Sequence, residues 1–104
     1  MANFRELENN LKAFLIDVQS DAHNIKTLAA ARYNNIKIMM DPKKIKQKHV
    51  IIKMGMSEAM FSLDTFEKMN GGLGFEERFV RRWFDRSGIK SHLEECWTAE
   101  LMKA

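Results

Sequence analysis

The sequence has few cysteines and prolines and no long apolar run. It contains one cysteine, Cys96, and one proline, Pro42. A single cysteine excludes a disulfide within the chain and favours a reducing compartment. The N-terminus carries acids where a signal peptide needs bases, and apolar runs such as Val50 to Ile52 are too short to span a bilayer. We therefore expect a cytoplasmic protein that does not bind membranes.

A large excess of charge of one sign is also lacking. The 104 residues include 17 Lys and Arg against 14 Asp and Glu, a formal net charge of +3 at pH 7, which is too small to indicate nucleic-acid binding by itself. Hydrophobic residues make up 45% and charged residues 30%, which is typical of a globular protein. We predict one domain over residues 1–104, with a helical arm over 1–33 and a sheet plus two helices over 35–104.

The first third of the chain has helical spacing. From Phe4 to about Arg32, apolar residues recur every three or four positions, and no proline or glycine interrupts them, which predicts a long helix. Ser20 or Asp21 could instead cap a second helix. The sequence therefore leaves open whether this segment is one helix or two.

This segment supplies a candidate oligomer interface. Written as a heptad, its a and d positions are mostly apolar, which is typical of a coiled coil and predicts a homodimer or a small protein partner. The alternative is that Phe4 to Val18 packs on the chain's own sheet, which the apolar stripe widened by Leu15 favours. The predicted interface residues are Phe4, Leu7, Leu11, Phe14, Val18, Ile25 and Leu28.

The middle of the chain changes to a period of two, which predicts strands. The connections near Gly55 and at Asp64–Thr65 are too short for a parallel crossover, so we predict an antiparallel meander. Residues 70–74, rich in glycine, are predicted to form a loop. The predicted strands are Asn35–Met40, His49–Met54, Glu58–Leu63 and Phe66–Met69.

Two helices are predicted to cover one face of this sheet, which makes the fold class α+β. The first, from Phe75 to about Asp85, should bury Trp83 with Phe75 and Phe79. The second, from about Ile89 to Met102, has Ser91 and Glu94 at capping-box spacing. Its predicted inward residues are Leu93, Trp97 and Leu101.

The chain from His49 onwards carries several short motifs. They are Gly55-x-x-Glu58-Ala59, Leu63-Asp64-Thr65-x-Glu67 and Gly71-x-Leu73, followed by two helices that each contain a tryptophan. Over residues 36–97, but not over the N-terminal helix, the chain resembles a family of small bacterial proteins known only as domain of unknown function 4160. Members are often encoded beside another small protein, in pairs that look like toxin–antitoxin modules. The resemblance therefore implies a small protein partner.

The chain departs from the family pattern at several positions. Members typically carry a His-x-His strand with a third histidine a few residues earlier, but here only His49 is present, with Ile51 and Ile45 near the other two positions. In this chain Phe66 stands at the position of the family's turn glycine, and Gly74 stands at the position of the proline in the family's Gly-x-Leu-Pro motif. Any histidine-dependent activity of the family is therefore expected to be lost in this chain.

One segment has a strong local charge. Between residues 43 and 53 there are five lysines and no carboxylate, a pattern that can bind a phosphate backbone. The alternative is a solvated connection whose lysines protect a sheet edge, and no aromatic residue in the segment offers a base a stacking partner. The predicted nucleic-acid-binding residues are Lys43, Lys44, Lys46, Lys48, His49 and Lys53.

Other candidate sites are weaker. Arg78, Arg81 and Arg82 could bind phosphate or an acidic partner, although the exposed side of an amphipathic helix explains them as well. His92 and Cys96 stand four residues apart, but a metal site needs three or four ligands. We predict no metal, no cofactor and no catalytic residues.

Six methionines near the predicted sheet have two explanations: core filling, which is the commoner role, or an adaptable interaction surface. They are Met39, Met40, Met54, Met56, Met60 and Met69.

These observations lead to two expectations about function, beside the plainer one of a self-associating structural subunit. The first is a non-catalytic interaction or regulatory protein, one member of a toxin–antitoxin-like two-gene module. The alternative is a nucleic-acid-binding protein, or a minimal ribonuclease of the toxin type, that uses the lysine-rich segment and His49.

Overall fold

A computed structural model of the chain describes residues 3–18 and 35–103, apart from the side chain of Phe75. Residues 19–34, which carry the predicted interface positions Ile25 and Leu28, lie outside this description. The described residues form an α+β fold with three α-helices and a four-stranded sheet, as predicted. The helices are α1 (Phe4–Val18), α2 (Glu77–Phe84) and α3 (Ile89–Lys103), and the strands are β1 (Ile36–Met39), β2 (His49–Met54), β3 (Ser57–Ser62) and β4 (Lys68–Gly72).

The sheet is the predicted antiparallel meander, with the strands side by side in chain order. The turn between β2 and β3 falls at Gly55, whose φ of 57° is one that glycine adopts without strain. On the covered face, Ile38 lies opposite Ile52, and Ile52 lies opposite Ala59. These three side chains are buried, so the predicted alternation of β1, β2 and β3 is confirmed.

The predicted bounds of β4 are wrong. The strand runs from Lys68 to Gly72 and not from Phe66 to Met69, so Asn70 to Gly72 are strand residues and not loop. A Cβ atom at Gly71 would overlap the carbonyl oxygen of Glu58 on β3. Glycine here therefore permits close approach of two strands, a role that its sequence signal does not distinguish from a turn.

Helix α1 belongs to the core. Asn3 caps it, because its Oδ1 accepts the backbone N–H of Glu6 at 2.8 Å. The helix packs against β1 and α2, and it buries Leu7, Leu11 and Leu15 completely. The wide apolar stripe thus serves packing within the chain.

The C-terminal helices cover the same face of the sheet. In α2, Trp83 is fully buried and donates its Nε1–H to Oδ1 of Asn10 at 2.8 Å, while Phe79 is half-buried against the core. A 3-10 turn over Gly74–Glu76 precedes α2 and takes up the start of the predicted helix.

Two predictions for α3 are wrong. The helix begins at Ile89, so Ser91 lies inside the first turn and is not its N-cap. Leu101 is 49% exposed and does not face inward. A step of four residues turns a helix about 40° beyond one full turn, so Leu101 has rotated away from the face that Leu93 and Trp97 bury.

Candidate interaction surface

The sheet has a second face that the described helices leave uncovered. Side chains alternate along each strand, so the residues between the core positions of β1, β2 and β3 point the other way. These side chains are not buried, whereas His49 and Ser62, which follow the same alternation at one end of β2 and β3, are buried. We call this surface the open face, and its residues are Lys37, Met39, Ile51, Lys53, Glu58 and Met60.

Register brings three apolar side chains of the open face into one row. Met39 lies opposite Ile51, and Ile51 lies opposite Met60. With about 4.8 Å between neighbouring strands, the row is roughly 10 Å long. Met39 is 38% exposed, and Ile51 and Met60 are half-buried. Of the two explanations for the methionines, core filling applies to Met40 and Met54, whereas Met39 and Met60 lie on a surface.

The connection between β1 and β2 extends this apolar row. Ile45 lines a shallow recess of about 190 Å³ together with Ile51 and Met60. A hydrogen bond of 3.0 Å from the backbone N–H of Ile45 to the carbonyl oxygen of Asp41 holds the turn. The lysines on either side of Ile45, Lys44 and Lys46, are exposed. The lysine-rich segment thus lies beside the open face.

The polar row of the open face is predominantly basic. Lys37 lies opposite Lys53, and Lys53 lies opposite Glu58. Like charges in directly opposite positions destabilise a sheet. Among the residues that the structure describes, neither lysine forms an ion pair within 4.0 Å. The row therefore presents two ammonium groups and one carboxylate to solvent.

His49 does not lie on this surface. Its ring is fully buried, accepts the backbone N–H of Asp41 at Nε2 (2.9 Å) and meets the carbonyl oxygen of Gln47 at Nδ1 (2.8 Å). Because Nε2 must accept, Nδ1 carries the proton and donates. The ring also meets the ring of Trp97 edge-on at 5.1 Å. The assignment of His49 to the nucleic-acid-binding set is therefore corrected: its ring closes the β1–β2 connection and is not accessible to a ligand.

Lys43, Lys44, Lys46 and Lys48 lie in the β1–β2 connection, whereas Lys53 lies opposite Lys37 near the other end of β2, next to the β2–β3 turn. Lys43, Lys44, Lys46 and Lys53 are exposed, and Lys48 is half-buried. Lys43 lines a different recess, which includes Pro42 and the end of α3. The structure thus keeps the basic segment on the surface but separates it from the histidine.

The arginine side of α2 lies across the sheet from the open face, because α2 packs on the covered side. Arg78, Arg81 and Arg82 are exposed. The Nε of Arg81 lies 3.9 Å from Glu77 Oε2, and the guanidinium of Arg78 lies 5.9 Å from the centre of the Phe79 ring. These contacts are typical of the solvated side of an amphipathic helix.

The His92 and Cys96 pair offers little chemistry. Burial, followed by the nearby carboxylates of Glu100, Glu95 and Glu6, raises the pKa of the Cys96 thiol to about 11, so the thiol is protonated and a poor nucleophile at neutral pH. His92 Nε2 lies 3.7 Å from Glu6 Oε2. Within residues 3–18 and 35–103, no three potential metal ligands come together.

The predicted oligomer interface on α1 is largely occupied by the chain itself. Leu7 and Leu11 have no exposed surface, so they are not available to a second copy. Phe4 and Phe14 are half-buried against the core, with the Arg86 guanidinium 5.2 Å from the Phe14 ring centre. The prediction that Leu7 and Leu11 form an oligomer interface is therefore wrong. Both side chains pack in the core of their own chain.

The sequence did not single out the open face. The alternation within each strand does place Met39 and Ile51 on the other face of the sheet from the core residues. The missing information was the register between strands, which decides that the three apolar side chains share one row.

Comparisons of the chain with protein-family models, with curated proteins and with solved structures gave no significant match. None of the described helices combines the length and the apolar character needed to cross a membrane.

Proposed function

We propose that this chain is a non-catalytic interaction or regulatory protein that binds a protein partner through its open face. The observation that carries the proposal is the row of Met39, Ile51 and Met60, which extends across three strands and is not covered by any of the described helices. Contiguous apolar surface costs free energy in water and commonly marks a site of association. Methionine suits such a site because its flexible side chain adapts to a partner.

The positions of the reactive side chains support a non-catalytic role. The His49 ring uses both nitrogens to hold backbone groups, and the Cys96 thiol is buried and protonated. A general base or a nucleophile must reach its substrate, and neither side chain does so in this fold.

The resemblance to domain of unknown function 4160 indicates what kind of protein the partner is. We propose that the chain is one member of a toxin–antitoxin-like two-gene module in a bacterial cytoplasm, and that the product of the neighbouring gene is its partner. The backbone at one position fits this resemblance: Phe66, which aligns with the family's turn glycine, has a φ of 60°, the conformation that glycine favours.

The test is reconstitution from purified components. The full-length chain is mixed with the purified product of each adjacent gene, and the mass of any complex is measured by size-exclusion chromatography with light scattering. We expect a defined complex with one of them. If neither product binds and each chain elutes at its own mass at concentrations of tens of micromolar, the two-gene proposal is wrong.

Nucleic-acid binding remains a second candidate because Lys43, Lys44, Lys46 and Lys53 are all exposed. We predict that changing Lys43, Lys44, Lys46 and Lys48 to glutamine weakens any such binding. Log K decreases as log salt increases, and the magnitude of this negative slope should become smaller by about 0.7–0.9 for each phosphate that a lysine no longer neutralises. Fluorescence anisotropy with single-stranded RNA and duplex DNA over a salt series measures this. Wild-type protein that binds neither at low salt would exclude this candidate.

A further inference from the structure

We infer that the partner segment that binds the open face is acidic and amphipathic, with apolar side chains set among carboxylates. This inference rests on the proposed function and adds the chemistry of the partner. It is carried by two neighbouring rows of the sheet, one apolar and one basic, whose positions follow from strand register.

The apolar half of the surface requires apolar side chains in the partner. Met39, Ile51 and Met60 extend across three strands, and Ile45 adds a wall beside Ile51 and Met60. The recess that Ile45, Ile51 and Met60 line, together with Glu58 and Asn70, has a volume of about 190 Å³. This volume suits one or two aliphatic side chains and not a small-molecule ligand, whose sites commonly measure roughly 300–1,000 Å³.

The basic half requires carboxylates. Lys37 and Lys53 are opposite one another in the sheet and exposed, and Glu58 lies opposite Lys53 on the third strand. Lys44 and Lys46 add two further exposed charges next to Ile45. An acidic partner would neutralise the repulsion between the paired lysines, and charge complementarity of this kind raises association rates and excludes basic competitors.

Nucleic acid fits the same surface less well. Sheets that bind single strands stack bases on exposed aromatic rings, and none of the six residues of the open face is aromatic. A protein segment satisfies both rows, whereas a polynucleotide satisfies only the lysines.

The experiment uses two synthetic peptides and the full-length protein. One is an amphipathic helix of about five turns (~18 residues) with leucines on one side and glutamates on the other, and the second has lysine in place of every glutamate. Binding is followed by NMR of ¹³C-methyl-labelled methionine. We expect the acidic peptide to shift the signals of Met39 and Met60 but not those of the buried Met40 and Met54. We also expect it to bind at least about tenfold tighter than the basic peptide, a difference of about 1.4 kcal/mol.

Charge reversal supplies the matched variant. Lys37→Glu combined with Lys53→Glu alters two exposed side chains, and it should reverse the preference between the two peptides. The inference is overturned if both peptides bind alike, if the acidic peptide shifts neither signal at about 1 mM, or if single-stranded RNA shifts them and the acidic peptide does not. If one of these results is obtained and the chain still forms a complex with a natural partner protein, the proposed function stands. Only the inference that the partner segment is acidic is then wrong.

Discussion

Phe66 is the residue whose backbone departs most clearly from what its side chain prefers. Its φ is 60°, a region that bulky side chains rarely adopt. Its N–H donates to the carbonyl oxygen of Ser62 at 2.8 Å, which closes the turn after β3. The ring stacks on Phe84 with 4.4 Å between centres and 6° between planes. The packing of this ring offsets the backbone strain at the turn.

We predict that Phe66→Gly is more stable than Phe66→Ala by about 1 kcal/mol. Both variants lose the stacked ring, but only alanine keeps a Cβ atom in the left-handed conformation. This order is the reverse of the one found at ordinary backbone angles. Denaturant unfolding of the two variants measures the difference, and an alanine variant as stable as the glycine variant would refute the strain at Phe66.

Trp83 is the largest fully buried side chain and ties α2 to α1 through Asn10. We predict that Trp83→Ala reduces the free energy of unfolding by about 3–5 kcal/mol. Asn10→Ala, which removes only the hydrogen-bond acceptor, should cost about 1–3 kcal/mol because the Trp83 N–H is left buried and unpaired. A loss below about 1 kcal/mol for the tryptophan variant would mean that this side chain is not in the core.

At the scale of elements, α1 shows why a heptad pattern alone is ambiguous. Its apolar spacing suits a dimer seam or a helix in the core, and the sequence does not contain the position of the sheet. In the fold, Glu8 Oε2 accepts the backbone N–H of Ile38 at 2.9 Å, so the helix also covers the outer edge of β1. Such cover protects an edge strand from pairing with another chain.

We predict that Leu11→Ala destabilises the chain by about 2–5 kcal/mol. The midpoint of unfolding should be independent of protein concentration, because the leucine packs within its own chain. Asn9→Ala is the matched control, since Asn9 is exposed on the same helix, and it should change stability by less than about 0.5 kcal/mol. A midpoint that rises with protein concentration would show that the core shared by this helix belongs to an oligomer.

The elements that could be predicted from the sequence are those with a strong period. The alternation of Ile36, Ile38 and Met40 and the short link at Gly55 were enough for the meander. The β4 strand was misplaced because Gly71 and Gly72 have no side chain to show a period, and the need for glycine arises from the neighbouring carbonyl group of Glu58. The bounds of α3 were predicted to within one residue, but the capping role of Ser91 and the inward position of Leu101 were wrong, because neither residue shows how far along the helix the contact with the core extends.

The candidate site was harder to predict than the fold. The lysines were found because charge is local in sequence, but His49 was grouped with them for the same reason. Its buried ring depends on a hydrogen bond to Asp41, eight residues away, and on Trp97 in α3. The row of Met39, Ile51 and Met60 required the pairing of three strands. Sites built across strands are therefore visible only once register is known.

At the scale of the whole molecule, the sheet divides the described residues into two unequal sides. The helices, the tryptophans and the buried cysteine lie on one side and account for the core. On the other side lie the open face and the connection that carries Ile45 between lysines. The buried core lies on the first side, so we expect substitutions of exposed residues on the second side to alter binding with little effect on stability.

The most direct test of the account compares two methionine variants in binding to the partner protein, once that protein is purified. Met39→Glu combined with Met60→Glu places two charges on the apolar row, whereas Met56→Glu changes a fully exposed methionine at the β2–β3 turn. Calorimetry should show at least about tenfold weaker binding for the double variant and wild-type affinity for Met56→Glu, with wild-type unfolding midpoints for both. Unchanged affinity of the double variant would contradict the assignment of the open face as the partner-binding surface.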